Sequence, residues 1–147
     1  FFISILVFII SPLSVYGSNF KGAKELYSRA DFSDPFMVAQ VTHRCAGAFG
    51  ALTKFMPQGQ KDGTFKLWQQ FFDATLYFLI ESRGGTEALL GDAIEKISKE
   101  FSKDSKYYVG IYENQMDKSQ QATGSIFNDW ISAEIELCKD LSDKVFK

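Results

Sequence analysis

The chain has few of the residues from which metal centres and catalytic sites are most often built. Its 147 residues include one histidine, His43, and two cysteines, Cys45 and Cys138. No Cys-x-x-Cys, His-Glu-x-x-His or Glu-x-x-His spacing occurs, so the familiar zinc, c-type haem and di-iron signatures are absent. A Gly-x-Ser-x-Gly elbow and a P-loop are also absent. We therefore expect no metal site, no cofactor and no catalytic residue.

The chain also lacks a basic excess. Sixteen basic and eighteen acidic residues give a formal net charge of −2. The lysines are dispersed among acidic residues, which is typical of a solvated surface. Nucleic-acid-binding proteins usually show a basic excess or a clustered basic stripe. We therefore expect no nucleic-acid partner.

The N-terminal segment has no charged residue before Lys21. An apolar run over residues 1–10 is followed by Val15-Tyr16-Gly17, which fits a signal peptidase site with Ser18 as the first mature residue. We predict a signal peptide over residues 1–17, a single helical domain over residues 18–147, and export to the periplasm or the extracellular space.

Two alternatives for this segment remain open. The chain begins with Phe1 and lacks the basic residues that normally precede the apolar core, so we expect its N-terminus to be incomplete. Further upstream residues could extend the run to the roughly 20 apolar residues of an uncleaved membrane anchor. The other alternative is a core helix of a cytoplasmic protein. After cleavage we expect no stable membrane span, because Lys66 and Asp73 interrupt the next most apolar segment.

Apolar residues recur every three or four positions rather than every second one, which predicts an all-α fold. The predicted helices are A over 35–56, B over 64–83, C over 86–120 and D after a cap at Thr123 or Ser125. Helix C is straight or kinked near residues 102–106, and two shorter helices divided there are the alternative. With short connections this order predicts an antiparallel four-helix bundle, with a short extra helix inside residues 19–30. Helix B is apolar around most of its circumference and is therefore expected at the centre.

Cys45 and Cys138 lie on the inner stripes of helices A and D. Because the expected compartment is oxidising, we predict that they form a disulfide, which would close a loop of 93 residues. The chain-entropy account assigns such a loop about 4 to 5 kcal/mol of stability. The alternative is that both are small buried hydrophobic residues.

Helix A also carries a patch of small residues. The small residues Ala46, Gly47, Gly50 and Ala51 would let another backbone approach closely, and we expect helix D or the N-terminal segment there; a groove or dimer interface is the alternative.

His43 is about 200° around the helix from Cys45, so it is expected at the surface. A candidate polar site consists of His43, Arg44, Tyr108 and Tyr112. Charged helix residues are usually solvated, and such tyrosines usually lie at the core rim.

The leading functional hypothesis is a non-enzymatic exported bundle that contacts a protein partner, another copy of itself or the cell envelope. The alternative is a bundle that binds an apolar ligand among the phenylalanines of helix B. A third hypothesis, an enzyme that uses His43 with a carboxylate, is the least favoured.

Intact-mass analysis tests the predicted disulfide. Non-reduced protein from an oxidising compartment should be two hydrogen masses lighter than reduced protein, and should take up no alkylating reagent until it is reduced. Two alkylated thiols in unreduced, denatured protein would contradict the pairing.

Overall fold

The structure, a computed structural model, describes residues 20–146, so the predicted signal peptide lies outside the described residues. The helices are α1 (Ala23–Tyr27), α2 (Pro35–Phe55), α3 (Lys61–Glu81), α4 (Gly91–Thr123) and α5 (Asp129–Val145), with a 3-10 turn at Gln58–Gln60. No strand occurs among residues 20–146. The predicted all-α class is confirmed.

The start of α2 follows directly from local sequence. Asp34 caps the helix by accepting a 2.9 Å hydrogen bond from the backbone N–H of Phe36. Pro35 occupies the first helical position, where a missing N–H has no cost. The helix ends at Phe55, one residue before the predicted end.

Helix α4 is continuous across residues 102–106, so the prediction of one long helix is confirmed. Its predicted start at Thr86 is wrong, because the helix begins at Gly91. Gly84 and Gly85 adopt φ values of +97° and +80°, which suit glycine and end the preceding helix. The backbone N–H groups of Ala88 and Leu89 then bond to carbonyls three residues earlier, so tight turns occupy this segment.

Helix α5 also begins later than predicted. Thr123 is the last residue of α4, and Gly124 follows it at φ +78°. The cap is Asn128, whose side-chain oxygen accepts a 2.8 Å hydrogen bond from the N–H of Ile131. The prediction of a cap at Thr123 or Ser125 is therefore wrong, because the chain needs a connection between the two helices before α5 can start.

Helix α2, not the predicted helix B, lies at the centre. Eleven residues of α2 are buried, whereas α3, which corresponds to helix B, buries only Thr64, Phe71 and Thr75. The small residues of α2 let neighbours approach from several sides. The apolar residues of α3 surround the helix, but only one side of it faces α2. Within residues 20–146, no helix has the combined length and hydropathy needed to cross a membrane.

The helix directions differ from those of an antiparallel four-helix bundle. Thr42 contacts Thr75, and Phe49 further along contacts Phe71, so α3 runs antiparallel to α2. His43 contacts Ser105, and Lys54 contacts Glu113, so α4 runs parallel to α2. In an antiparallel four-helix bundle, the first and third long helices lie on a diagonal, whereas here they pack directly together. The four-helix arrangement is therefore not confirmed.

The small-residue patch explains this close contact. A Cβ atom on Gly47 would lie 2.9 Å from Cβ of Tyr108, and one on Gly50 would lie 2.8 Å from Cγ2 of Val109. The same added Cβ on Gly50 would also lie 3.0 Å from Cδ1 of Trp68 in α3. The expectation that helix D or the N-terminal segment covers these glycines is wrong, because α4 and Trp68 do so.

Two alanine substitutions inside helices should therefore have opposite effects. Gly110→Ala should raise the free energy of unfolding by about 0.5 to 1 kcal/mol, since its added Cβ meets nothing within 4 Å. Gly47→Ala should lower it by up to about 2 kcal/mol, because the clash outweighs the gain in helix propensity. Urea denaturation followed by circular dichroism measures both. Equal stabilisation by the two substitutions would contradict the described packing.

Candidate functional site

The two cysteines lie in the core between α2 and α5. Their Cα atoms are 5.5 Å apart, and both side chains are fully buried. This separation is within the range that a disulfide spans. The structure therefore places Cys45 and Cys138 as a disulfide-compatible pair.

His43 is buried, so the expectation of a surface histidine is wrong. Its side chain is 7% exposed, and its Nε2 atom lies 2.8 Å from Oγ of Ser105. The ring also packs against Phe101 and Tyr108 at centroid distances of 4.7 and 4.6 Å. The expectation of a surface position assumed that only the side of α2 that bears Cys45 is buried. In the structure, α4 covers the side that bears His43.

Burial and the positive charge of Arg44 lower the pKa of His43 from 6.5 to about 3. The imidazole is therefore neutral at pH 7 and a poor proton acceptor. Its contact with Ser105 has the atoms of a nucleophile–base pair, but no carboxylate among residues 20–146 is hydrogen-bonded to the ring. Ser105 is itself 8% exposed. The described pair is a buried hydrogen bond between α2 and α4.

Arg44 joins the start of the described chain to α2 and α4. Its guanidinium carbon lies 3.6 Å from the Tyr108 ring centroid and 5.1 Å from that of Phe20. Its Nε donates a 2.9 Å hydrogen bond to the carbonyl of Lys21. Cation–π contact and this hydrogen bond together hold Phe20 against the helices.

Tyr112 also contacts Phe20, at 5.7 Å between ring centroids, but its hydroxyl has a different partner. Its buried hydroxyl donates a 2.6 Å hydrogen bond to Oε2 of Glu134, and its ring stacks on Trp130 at 5.3 Å. Burial, followed by the negative charge of Glu134, raises the pKa of Tyr112 well above its usual value. Of the predicted polar site, His43, Arg44 and Tyr108 are in mutual contact, while Tyr112 pairs with Glu134.

Ser105 and Glu134 are not among the candidate site residues that the sequence indicates, although both lie on the apolar face of their helix. Ser105 follows Phe101 by four residues and precedes Tyr108 by three, so its spacing marks the buried face of α4. Glu134 lies on the buried stripe of α5 next to Ile135. A polar residue on an apolar stripe was the available signal, but the sequence does not identify its hydrogen-bond partner.

A polar cleft lies on one side of the His43–Ser105 contact. Its volume is about 190 Å³, and its lining includes His43, Arg44, Arg83, Glu100 and Asp104. Two arginines face two acids, so the cleft has no excess charge of one sign. Among residues 20–146, no group of three or more His, Cys, Asp or Glu side chains could hold a metal ion.

The α3–α4 groove lies on the other side of that contact. Its volume is about 470 Å³, and its lining residues are Lys54, Trp68, Phe72, Ser102, Ser105, Lys106, Val109, Gly110 and Glu113. Trp68 and Phe72 are neighbouring rings on α3, 5.6 Å apart, and both are only partly buried. The groove has the size of a small-molecule site.

The single histidine makes its protonation directly measurable. Because the folded pKa of about 3 is below the unfolded value of 6.5, the unfolded state binds more protons between these limits. His43 should therefore reduce stability as the pH falls below about 6.5, by up to about 1.4 kcal/mol per pH unit, and contribute no pH dependence above it.

NMR of the His43 ring should show no titration between pH 5 and 8. His43→Gln should flatten the pH dependence of stability measured by urea denaturation. Comparison with the unmodified protein distinguishes the contribution of His43 from any contribution of Glu100 and Asp104, which line the same cleft. A ring titration centred near pH 6.5 would contradict the described burial.

Comparison with known proteins found no matching family model, no matching curated protein and no matching solved structure.

Proposed function

We propose that this chain is an exported, non-enzymatic binding protein that holds an apolar ligand in the α3–α4 groove. The supporting observation is the incomplete burial of Trp68 and Phe72 beside a groove of about 470 Å³. Aromatic side chains that line a groove and remain partly exposed are a common feature of binding sites. The groove therefore favours the ligand-binding hypothesis.

The ligand occupies this surface groove rather than the interior. Phe71, the phenylalanine of α3 that is fully buried, stacks on Phe49 at 5.8 Å and contacts Phe146 at 5.1 Å. These rings fill the space between α2, α3 and the end of α5. The phenylalanines of α3 thus have two roles, with one in the core and others at the groove.

The polar groups that line the groove favour binding over catalysis. Ser105 reaches the groove, but its partner His43 is neutral and buried, which makes proton abstraction at neutral pH unfavourable. Glu113 is paired with Lys54 and is not available as a free base. Export is supported by the sequence of residues 1–17 and by the disulfide-compatible cysteine pair.

A protein partner is the second candidate occupant, at the outer face of α3. Phe65 is 44% exposed, and its ring lies 5.1 Å from that of Trp68 in the groove. An exposed apolar face that continues from the groove is a feature of protein interfaces as well.

Fluorescence of Trp68 tests ligand binding in the groove. In a Trp130→Phe background, 1-dodecanol should change Trp68 emission in a saturable way. Gly110→Leu should weaken this binding by about tenfold or more, because leucine would occupy ligand volume in the groove. Gly91→Leu is the matched control, since Gly91 also has open space around it but lies outside the groove. Binding unaffected by Gly110→Leu would contradict this location.

A further inference from the structure

We propose that the α3–α4 groove selects a single-chain amphiphile with an anionic headgroup, such as a fatty-acid carboxylate, which binds at Lys103 and Lys106. The inference rests on the proposed function and adds the chemical class of the ligand. It comes from the distribution of charge around α4.

The groove changes from apolar to cationic along its length. Trp68, Phe72 and Val109 provide apolar surface in the groove. Ser102 and Lys106 also line an adjoining depression of about 440 Å³, together with Lys99, Lys103 and one acid, Glu95. An apolar chain in the groove would therefore end beside a cluster of ammonium groups.

Two of these lysines have no carboxylate partner in the described part of the chain. Lys54 at the inner side of the groove pairs with Glu113, and Lys99 pairs with Glu95 at 2.7 Å. Among residues 20–146, no carboxylate oxygen lies within 4.0 Å of Nζ of Lys103 or Lys106. These two ammonium groups are available to an anionic headgroup.

The acids that line the groove and the adjoining depression are paired with other lysines: Glu113 with Lys54, and Glu95 with Lys99. Glu100 and Asp104 line the polar cleft, together with Arg83 from α3 and Arg44 from α2. Among the described residues, the charges of Lys103 and Lys106 are therefore not neutralised by an ion pair. A carboxylate at the groove would meet the two lysines, whereas a cationic headgroup would be repelled by them.

The occupant is a free molecule rather than a membrane surface. Trp68, Phe72 and Val109 are partly buried between two helices instead of projecting from the protein. A recessed groove suits a chain that enters it individually, and its volume is that of a small-molecule site.

Three probes with the same chain length test the headgroup: dodecanoate, 1-dodecanol and dodecyltrimethylammonium, each below its micelle-forming concentration. In the full chain with Trp130→Phe, Trp68 fluorescence should show tightest binding for dodecanoate and weakest for the cation. Added salt should weaken the binding of dodecanoate and leave the binding of 1-dodecanol unchanged, because salt screens exposed charges. Circular dichroism at each end point confirms that the helices persist.

Lysine variants test the position of the headgroup. Lys106→Gln should weaken dodecanoate binding by about twofold to fivefold and weaken 1-dodecanol binding by less than that, because only dodecanoate carries a charge. Lys106→Arg should retain the preference for dodecanoate. Lys118→Gln, on the same helix but outside the groove, should have no effect. The double variant Lys103→Glu and Lys106→Glu should prefer the cationic probe.

The outcomes distinguish a failure of the headgroup proposal from a failure of the proposed ligand binding in the groove. Equal affinity for the three probes would overturn the headgroup proposal and leave ligand binding in place, whereas no binding of any probe would overturn both. Lysine-dependent binding to phosphatidylglycerol vesicles without binding of dodecanoate would also overturn the proposal, in favour of a membrane surface.

Discussion

A buried carboxylate organises the packing around α5. Glu134 is 2% exposed, and a charge so far from water is stable only with strong hydrogen-bond donors. It accepts hydrogen bonds from the hydroxyl of Tyr112 and from the backbone N–H groups of Ala23 and Lys24. One side chain thereby connects α1, α4 and α5. The close approach also requires Gly22, since a Cβ there would lie 2.6 Å from Oε1 of Glu134.

The groove lies beside the surface on which α4 packs against α2. Tyr112 is held by Glu134, and one turn earlier Tyr108 packs on Gly47 and on the guanidinium of Arg44. With α4 held on that side of α2, Val109 lies against Gly50 and faces the groove. The space between α3 and α4 is therefore a consequence of how closely each packs on α2.

Much of the fold was predictable where a local signal was strong. Asp34 and Pro35 marked the start of α2, and uninterrupted spacing of apolar residues marked α4 as one helix. The start of α4 and the cap of α5 were misplaced because Thr86, Thr123 and Ser125 resemble caps but occupy turns or a helix end. Such residues form local hydrogen bonds in several backbone conformations, so residue type alone does not select the cap.

The candidate site was less predictable than the fold. Residue spacing is enough to predict the helical class, the apolar stripes and the inward position of Cys45 and Cys138, because these depend on the periodicity within one helix. The packing of the helices is needed to show that α2 is central, that His43 is buried against Ser105, and that Trp68 and Phe72 border a groove. Those features depend on which helix covers each face, and the periodicity of one helix carries no information about its neighbours.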